Sequence, residues 1–166
     1  MPIQHKPDGW YWGSKGPFDT LAKAQQVARA AHASGFKEES QMDQETVGEF
    51  IGTLLHSATI THFMHLQTVG EGSYAKHKAL AAYYEGIVDL ADSVAEAIQG
   101  CELEIIKAYP KTFANNNMDA LAYMESIKQF VDVNRESVSS ESNVQNEIDN
   151  IVTLIDSTIY KLKFLR

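Results

Sequence analysis

The stretch HLQTVGEGSYAKH sets two imidazoles, His65 and His77, on either side of a turn, and Glu85, Asp89, Asp92 and Glu96 follow downstream. Imidazole suits a transition metal such as iron or zinc, and carboxylates complete the shell for iron. On a helix turning about 100° per residue, His77, Glu85, Asp89, Asp92 and Glu96 share a sector of about 120°. Asp92 and Glu96 are one turn apart on that face and can clasp one ion. Asp92 nevertheless lies fifteen residues beyond His77, roughly 22 Å along a helix axis. One chain therefore cannot gather all four around a single ion. A two-fold dimer with this helix antiparallel to its copy would bring Asp92 and Glu96 of one subunit onto His65 and His77 of the other, making two equivalent sites. The plain alternative is a capping histidine, a surface histidine and a solvated acidic face. His56 and His62 lie on other sectors and read as structural or surface residues.

The elements that must position these residues are helices. The period predicts one from about Asp43 to Val69, with Val47, Phe50, Ile51, Leu54, Leu55 and Ala58 on its apolar side. GEG ends it, and Ser73 is placed to cap a second helix reaching Gln99, just before Gly100. A connection of about sixteen residues, CELEIIKAYPKTFANN, follows, with a short helix expected over Glu102–Ala108. A third helix is expected from Asn117 or Asp119 to Val138. After SSES, Val144, Ile148, Ile151, Ile155, Ile159 and Leu162 mark a fourth. Tight first and last connections and a long middle one predict an all-α, ferritin-like four-helix bundle whose long crossover joins the second and third helices.

The order His65, eleven residues, His77, fourteen residues, Asp92, three residues, Glu96 resembles the ferroxidase pattern of Dps, the ferritin-like DNA-binding protein from starved cells. The likeness runs over Leu54–Gly100 and includes DLADSVAEAIQG, where Dps-type chains carry an acidic-aliphatic run ending in glycine. Members form hollow dodecamers and oxidise ferrous iron, preferably with peroxide, at sites between two-fold-related subunits. The resemblance implies the same here: iron held by His65 and His77 of one chain and by Asp92 and Glu96 of its partner, in a homo-oligomer built from two-fold dimers. Divergent relatives encoded by phages are of this kind, which implies a host cytoplasm or a virion as the location. The chain departs from the family at two positions. The carboxylate expected four residues beyond the second histidine falls on Ala81, with Glu85 one turn further as a substitute through longer reach or water. The aromatic residue usual after the first histidine is Leu66. Zinc in place of iron, or no metal, is the corresponding alternative. A Glu-x-x-His motif is absent, which argues against a di-iron centre within one chain.

Residues 1–40 are expected to form a separate strand-helix extension to the bundle of residues 41–166. They hold both tryptophans and three of the four prolines. GWYW reads as a strand, broken by the turn-rich GSKGPF. Asp19 or Thr20 caps a helix to about Ala33, with Leu21, Ala24, Val27, Ala28 and Ala31 on its inner face and Gly35 as its stop. KEESQMD (37–43) reads as a linker or a helix start. Trp10, Tyr11 and Trp12 either anchor the extension or stack on a base or ligand, and in a non-catalytic interaction protein the segment is the face for a protein partner.

A net charge of −8 and the lack of a basic tail argue against DNA binding. Hydrophobic content of 44% with 22% charged residues is that of a folded domain. One cysteine, Cys101, excludes an internal disulfide and fits a reducing compartment. No signal-like start and no apolar run of ~18 residues appears, so a soluble cytoplasmic protein is expected. If the chemistry has been lost, the same bundle reads as a non-catalytic interaction protein.

Overall fold

The computed structural model describes residues 3–12, 15–33, 43–113 and 118–165. The chain divides into two compact units, Met1–Gln41 and Met42–Arg166.

In the first unit GWYW is the middle strand of a three-stranded antiparallel sheet. Strand β1 (Ile3–Lys6) and strand β3 (Lys15–Phe18) pair on either side of β2 (Gly9–Trp12). One strand was expected, because IQHK and KGPF have little strand propensity of their own. Pairing with an aromatic neighbour supplies what propensity lacks, and part of the presumed turn GSKGPF is thus strand. Helix α1 (Leu21–Ala33) packs on β2 and β3, its first turn capped by Thr20 Oγ1, which accepts from Lys23 N at 3.3 Å. Ala24 and Ala28 are buried and so is Trp12, so the small inner face admits a large indole. Leu21 is exposed instead. The expected stop at Gly35 and most of the linker 37–43 lie outside the described residues.

The second unit holds α2 (Gln44–Leu66), α3 (Ser73–Glu102), α4 (Ala120–Val138) and α5 (Ser142–Phe164). Asp43 caps α2 by accepting from the backbone of Glu45 and Thr46, and Asp119 caps α4 in the same way. The Thr46 hydroxyl, 2.7 Å from Asp43 Oδ2, holds the Asp43 carboxyl below its usual range. Helix α2 ends earlier than expected, at Leu66. Ser73 does not cap α3; the cap position is Gly72, whose φ of 73° favours a residue without Cβ. Helix α3 runs on through Gly100 and Cys101 and stops at Glu102, where Leu103 turns left-handed. A single glycine costs a helix only about 1 kcal/mol, less than the packing of Val94 and Ile98 returns.

Contacts give the helix directions. Ser57 meets Tyr83 and His65 meets His77, so α2 and α3 are antiparallel. Cys101 meets Asn143 and Gly86 faces Leu154, so α3 and α5 are antiparallel. Arg135 pairs with Asp149 at 2.7 Å and Lys128 with Asp156 at 3.2 Å, so α4 and α5 are antiparallel. Helices α3 and α4 therefore point the same way, and the link between them must travel back along the unit. It does so along α2. Gln44 Nε2 donates to Glu104 Oε1 and to the Ile105 carbonyl, while Gln44 Oε1 and Gln99 Oε1 accept from Lys107 N and Ile106 N. These bonds replace helical ones, which is why no helix forms over 102–108 beyond the end of α3. Further along, Ala108 lies on Gly48, Pro110 on Gly52 and Phe113 on His56.

The core repeats the sequence pattern with one exception. Val47, Phe50, Ile51 and Leu54 meet Tyr83, Ile87, Met124, Ile148, Ile151 and Ile155 in one cluster, but Leu55 faces outward. Tyr83 is fully buried, and burial pushes its phenol well above the ordinary value. Ser57 spends its only hydrogen on the Leu54 carbonyl at 2.6 Å, so Tyr83 must donate to Ser57 Oγ at 2.8 Å. Ser57→Ala strands a buried donor and is expected to cost about 1–3 kcal/mol, more than Tyr83→Phe at about 1 kcal/mol. Urea unfolding of both singles and the double checks this. A double variant costing the sum of the two would mean that the pair does not interact.

Candidate functional site

The histidines are positioned by the turn that joins α2 to α3. His65 lies in the last turn of α2 and His77 in the second turn of α3. Gly70 and Gly72, at φ of 91° and 73°, let residues 67–72 reverse the chain between them. The two side chains then cross. His65 Nδ1 donates to the His77 carbonyl at 3.0 Å, and His77 Nδ1 donates to the His65 carbonyl at 3.3 Å. The rings stack with centroids 3.5 Å apart and 27° between planes. A carbonyl oxygen can only accept, so each Nδ1 carries the hydrogen and, in the neutral ring, each Nε2 keeps its lone pair. His65 is 8% exposed while His77 is exposed.

Two more rings join this pair. Tyr84 meets His65 edge-on at 5.2 Å, and His62 stacks on Tyr84 at 4.2 Å. His62 also approaches His65 edge-on, with centroids 5.9 Å apart. His62 was expected to be a structural or surface residue, and Tyr84 is not among the expected site residues. Their signal was spacing: His62 is three residues before His65 and Tyr84 seven after His77, both helical repeats that return to one face.

The structure brings His65 and His77 together and leaves Glu85, Asp92 and Glu96 apart from them. All three carboxylates are exposed on α3, and even Glu85 is eight residues past His77, about 12 Å along the axis. Ala81, where the carboxylate was missing, is half-buried. Among the described residues no three His, Cys, Asp or Glu side chains gather closely enough to hold a metal ion. One chain thus offers two imidazole nitrogens at the turn and an acidic face elsewhere on the same helix.

The remaining candidates have other surroundings. His56 stacks on Phe113 at 4.5 Å and so belongs to the packing of the link on α2. Cys101 is exposed within the last turn of α3, and its Sγ accepts from Asn143 Nδ2 at 3.2 Å. In the first unit Trp12 is 1% exposed, an anchor rather than a free stacking surface. Tyr11 donates to Asp8 at 2.6 Å, which lowers the Asp8 carboxyl and raises the Tyr11 phenol, and Lys6 Nζ lies 4.5 Å from the Tyr11 ring.

Residues 65–162, more than half of the chain, match a family of unknown function, DUF5856. The chain belongs to that family. The matched span opens on His65 and takes in the turn, all of α3 and α4 and most of α5, so the histidine pair and the acidic face of this chain both lie within it. The sheet unit lies outside it. No curated protein and no solved structure matches the chain. No helix among the described residues is long and apolar enough to cross a membrane.

Proposed function

We propose that this chain is a ferritin-like, Dps-like iron protein: residues 42–166 form a four-helix bundle with a long crossover, pair about two-fold axes and oxidise ferrous iron between subunits with peroxide or oxygen. The observation that carries this reading is the reciprocal bonding of His65 and His77. Fixing Nδ1–H on a carbonyl is how proteins orient an imidazole whose Nε2 binds a metal. The shared direction of α3 and α4, with the link returning along α2, supports the bundle topology.

Two imidazoles do not make an iron site. Asp92 and Glu96 supply the hard anionic ligands only if they come from a second subunit, with Glu85 as a further candidate. The outer surface of α2 and α3 suits such pairing. Leu55, His62 and Leu66 fall within about 40° on α2, and Ala81, Val88 and Asp92 within about 40° on α3. Leu55, Leu66 and Val88 are exposed there, apolar surface that a two-fold contact would cover. Adding ferrous iron aerobically while recording mass in solution tests the reading. It expects iron retained in proportion to subunits in a multimer and lost in His77→Ala. An iron-free monomer would sink it.

The same geometry favours a second reading, a non-catalytic interaction protein. The stacked pair ties the end of α2 to the start of α3 and would do so without a metal, and Ala81 stands where Dps-type chains have a ligand. On that reading His77→Ala lowers the melting temperature, and neither iron nor zinc raises that of the parent protein. A metal-dependent rise that vanishes in His77→Ala separates the two.

A further inference from the structure

The acidic chain is charged unevenly. Between Lys78 and Lys107 the sequence has no lysine or arginine, while Glu85, Asp89, Asp92, Glu96, Glu102 and Glu104 fall there. Lys76, Lys78, Lys161 and Lys163 instead sit where α3 begins and α5 ends. Those two places adjoin, because Leu162 and Leu165 line one cavity with Glu71, Gly72 and Lys76. Glu71 in that turn and Asp119, which caps α4 at the same end, are acidic residues there; Asp156, lower on α5, is already engaged by Lys128.

The same end carries large apolar side chains in water. Val69 is 86% exposed, Tyr74 75% and Phe164 65%, with Leu165 also exposed. Tyr160 and Phe164 form a ring pair on the last turns of α5, centroids 5.6 Å apart, and Lys163 Nζ lies 5.9 Å from the Phe164 ring. Exposed apolar side chains with lysines beside them are what an anionic lipid surface recognises: the apolar groups enter the acyl boundary and the ammonium groups meet the headgroups. Nucleic acid is the poorer fit: Tyr74 and Phe164 could stack on bases, but the aliphatic Val69 and Leu165 gain only from an acyl boundary.

We propose that the end of the helical unit formed by the α2–α3 turn and the last turn of α5 docks on an anionic phospholipid bilayer. The acidic length of α3 is repelled by the same surface, so the unit stands on this end rather than lying along its side. This contact is independent of any metal at His65 and His77.

The test is flotation of the full chain with vesicles of phosphatidylcholine and phosphatidylserine, and with phosphatidylcholine alone. Binding to the mixed vesicles is expected, weakening with salt and by about fivefold for each lysine removed. Lys161→Glu with Lys163→Glu should release the protein, as should Val69→Ser with Phe164→Ser. Val69, Lys163 and Phe164 are exposed and Lys161 is half-buried, and circular dichroism checks that each variant keeps its helices. In Phe164→Trp, emission should shift to the blue on mixed vesicles. No flotation at low salt, equal flotation with neutral vesicles, or binding to a single-stranded oligonucleotide in place of vesicles would each overturn the proposal.

Discussion

Co-expression of His77→Ala chains with chains carrying Asp92→Asn and Glu96→Gln, each inactive alone, should restore about a quarter of the parent's iron oxidation. The arithmetic follows from two-fold symmetry. In the proposed arrangement each site would take its imidazoles from one subunit and its carboxylates from the other. In a mixed dimer one site inherits both defects, while the other inherits neither. Random pairing makes about half the dimers mixed, with one working site of two in each. The effect is large because both parents start at background, and an active mixture cannot arise if every site lies within one chain. Mixed dimers with no activity would sink the intersubunit site. Active single variants would sink the ligand assignment. Both chains keep the Leu55, Leu66 and Val88 surface, so pairing itself should be unaffected.

The second large effect is expected at Gly48. A Cβ there would meet the carbonyl of Ala108, part of the link's backbone rather than the movable tip of a side chain. In an exposed helix, Gly→Ala would stabilise by up to about 1 kcal/mol. Here the clash should override that gain, and we expect Gly48→Ala to destabilise by about 3 kcal/mol, the upper end of overpacking costs. Gly52→Ala, where Pro110 Cδ lies 2.9 Å and Phe113 Cζ 3.1 Å from the added carbon, should cost less, because rings can shift. Thermal unfolding of the two variants checks the order. A Gly48→Ala protein as stable as the parent would mean that the link does not lie on α2 as described.

These two glycines show where sequence reasoning stops. Gly48 and Gly52 sit inside a clear helical period and look like mild defects in it. Their purpose appears only when residues 108–113 lie across them. The missing helix at 102–108 has a similar cause. Its backbone groups are taken by Gln99 and by Gln44, about sixty residues earlier, and no window of local sequence contains the Gln44 bonds. The three strands of the first unit are a third case, since β1 and β3 owe their conformation to β2 rather than to their own residues.

The histidine turn divides in the same way. Helix period, the Asp43 and Asp119 caps, the glycine-rich turn and the apolar stripe of α5 are short-range properties, set by residues within a turn or two of each other, and they placed His65 and His77 at matching heights near the turn. The crossing of the two side chains, each on the other's carbonyl, and the inclusion of His62 and Tyr84 depend on how closely and at what rotation α2 meets α3. That packing is set by Ser57 on Tyr83 and the buried aliphatics below. Periodicity along one helix can say which residues share a face; the distance between two faces belongs to the packed core.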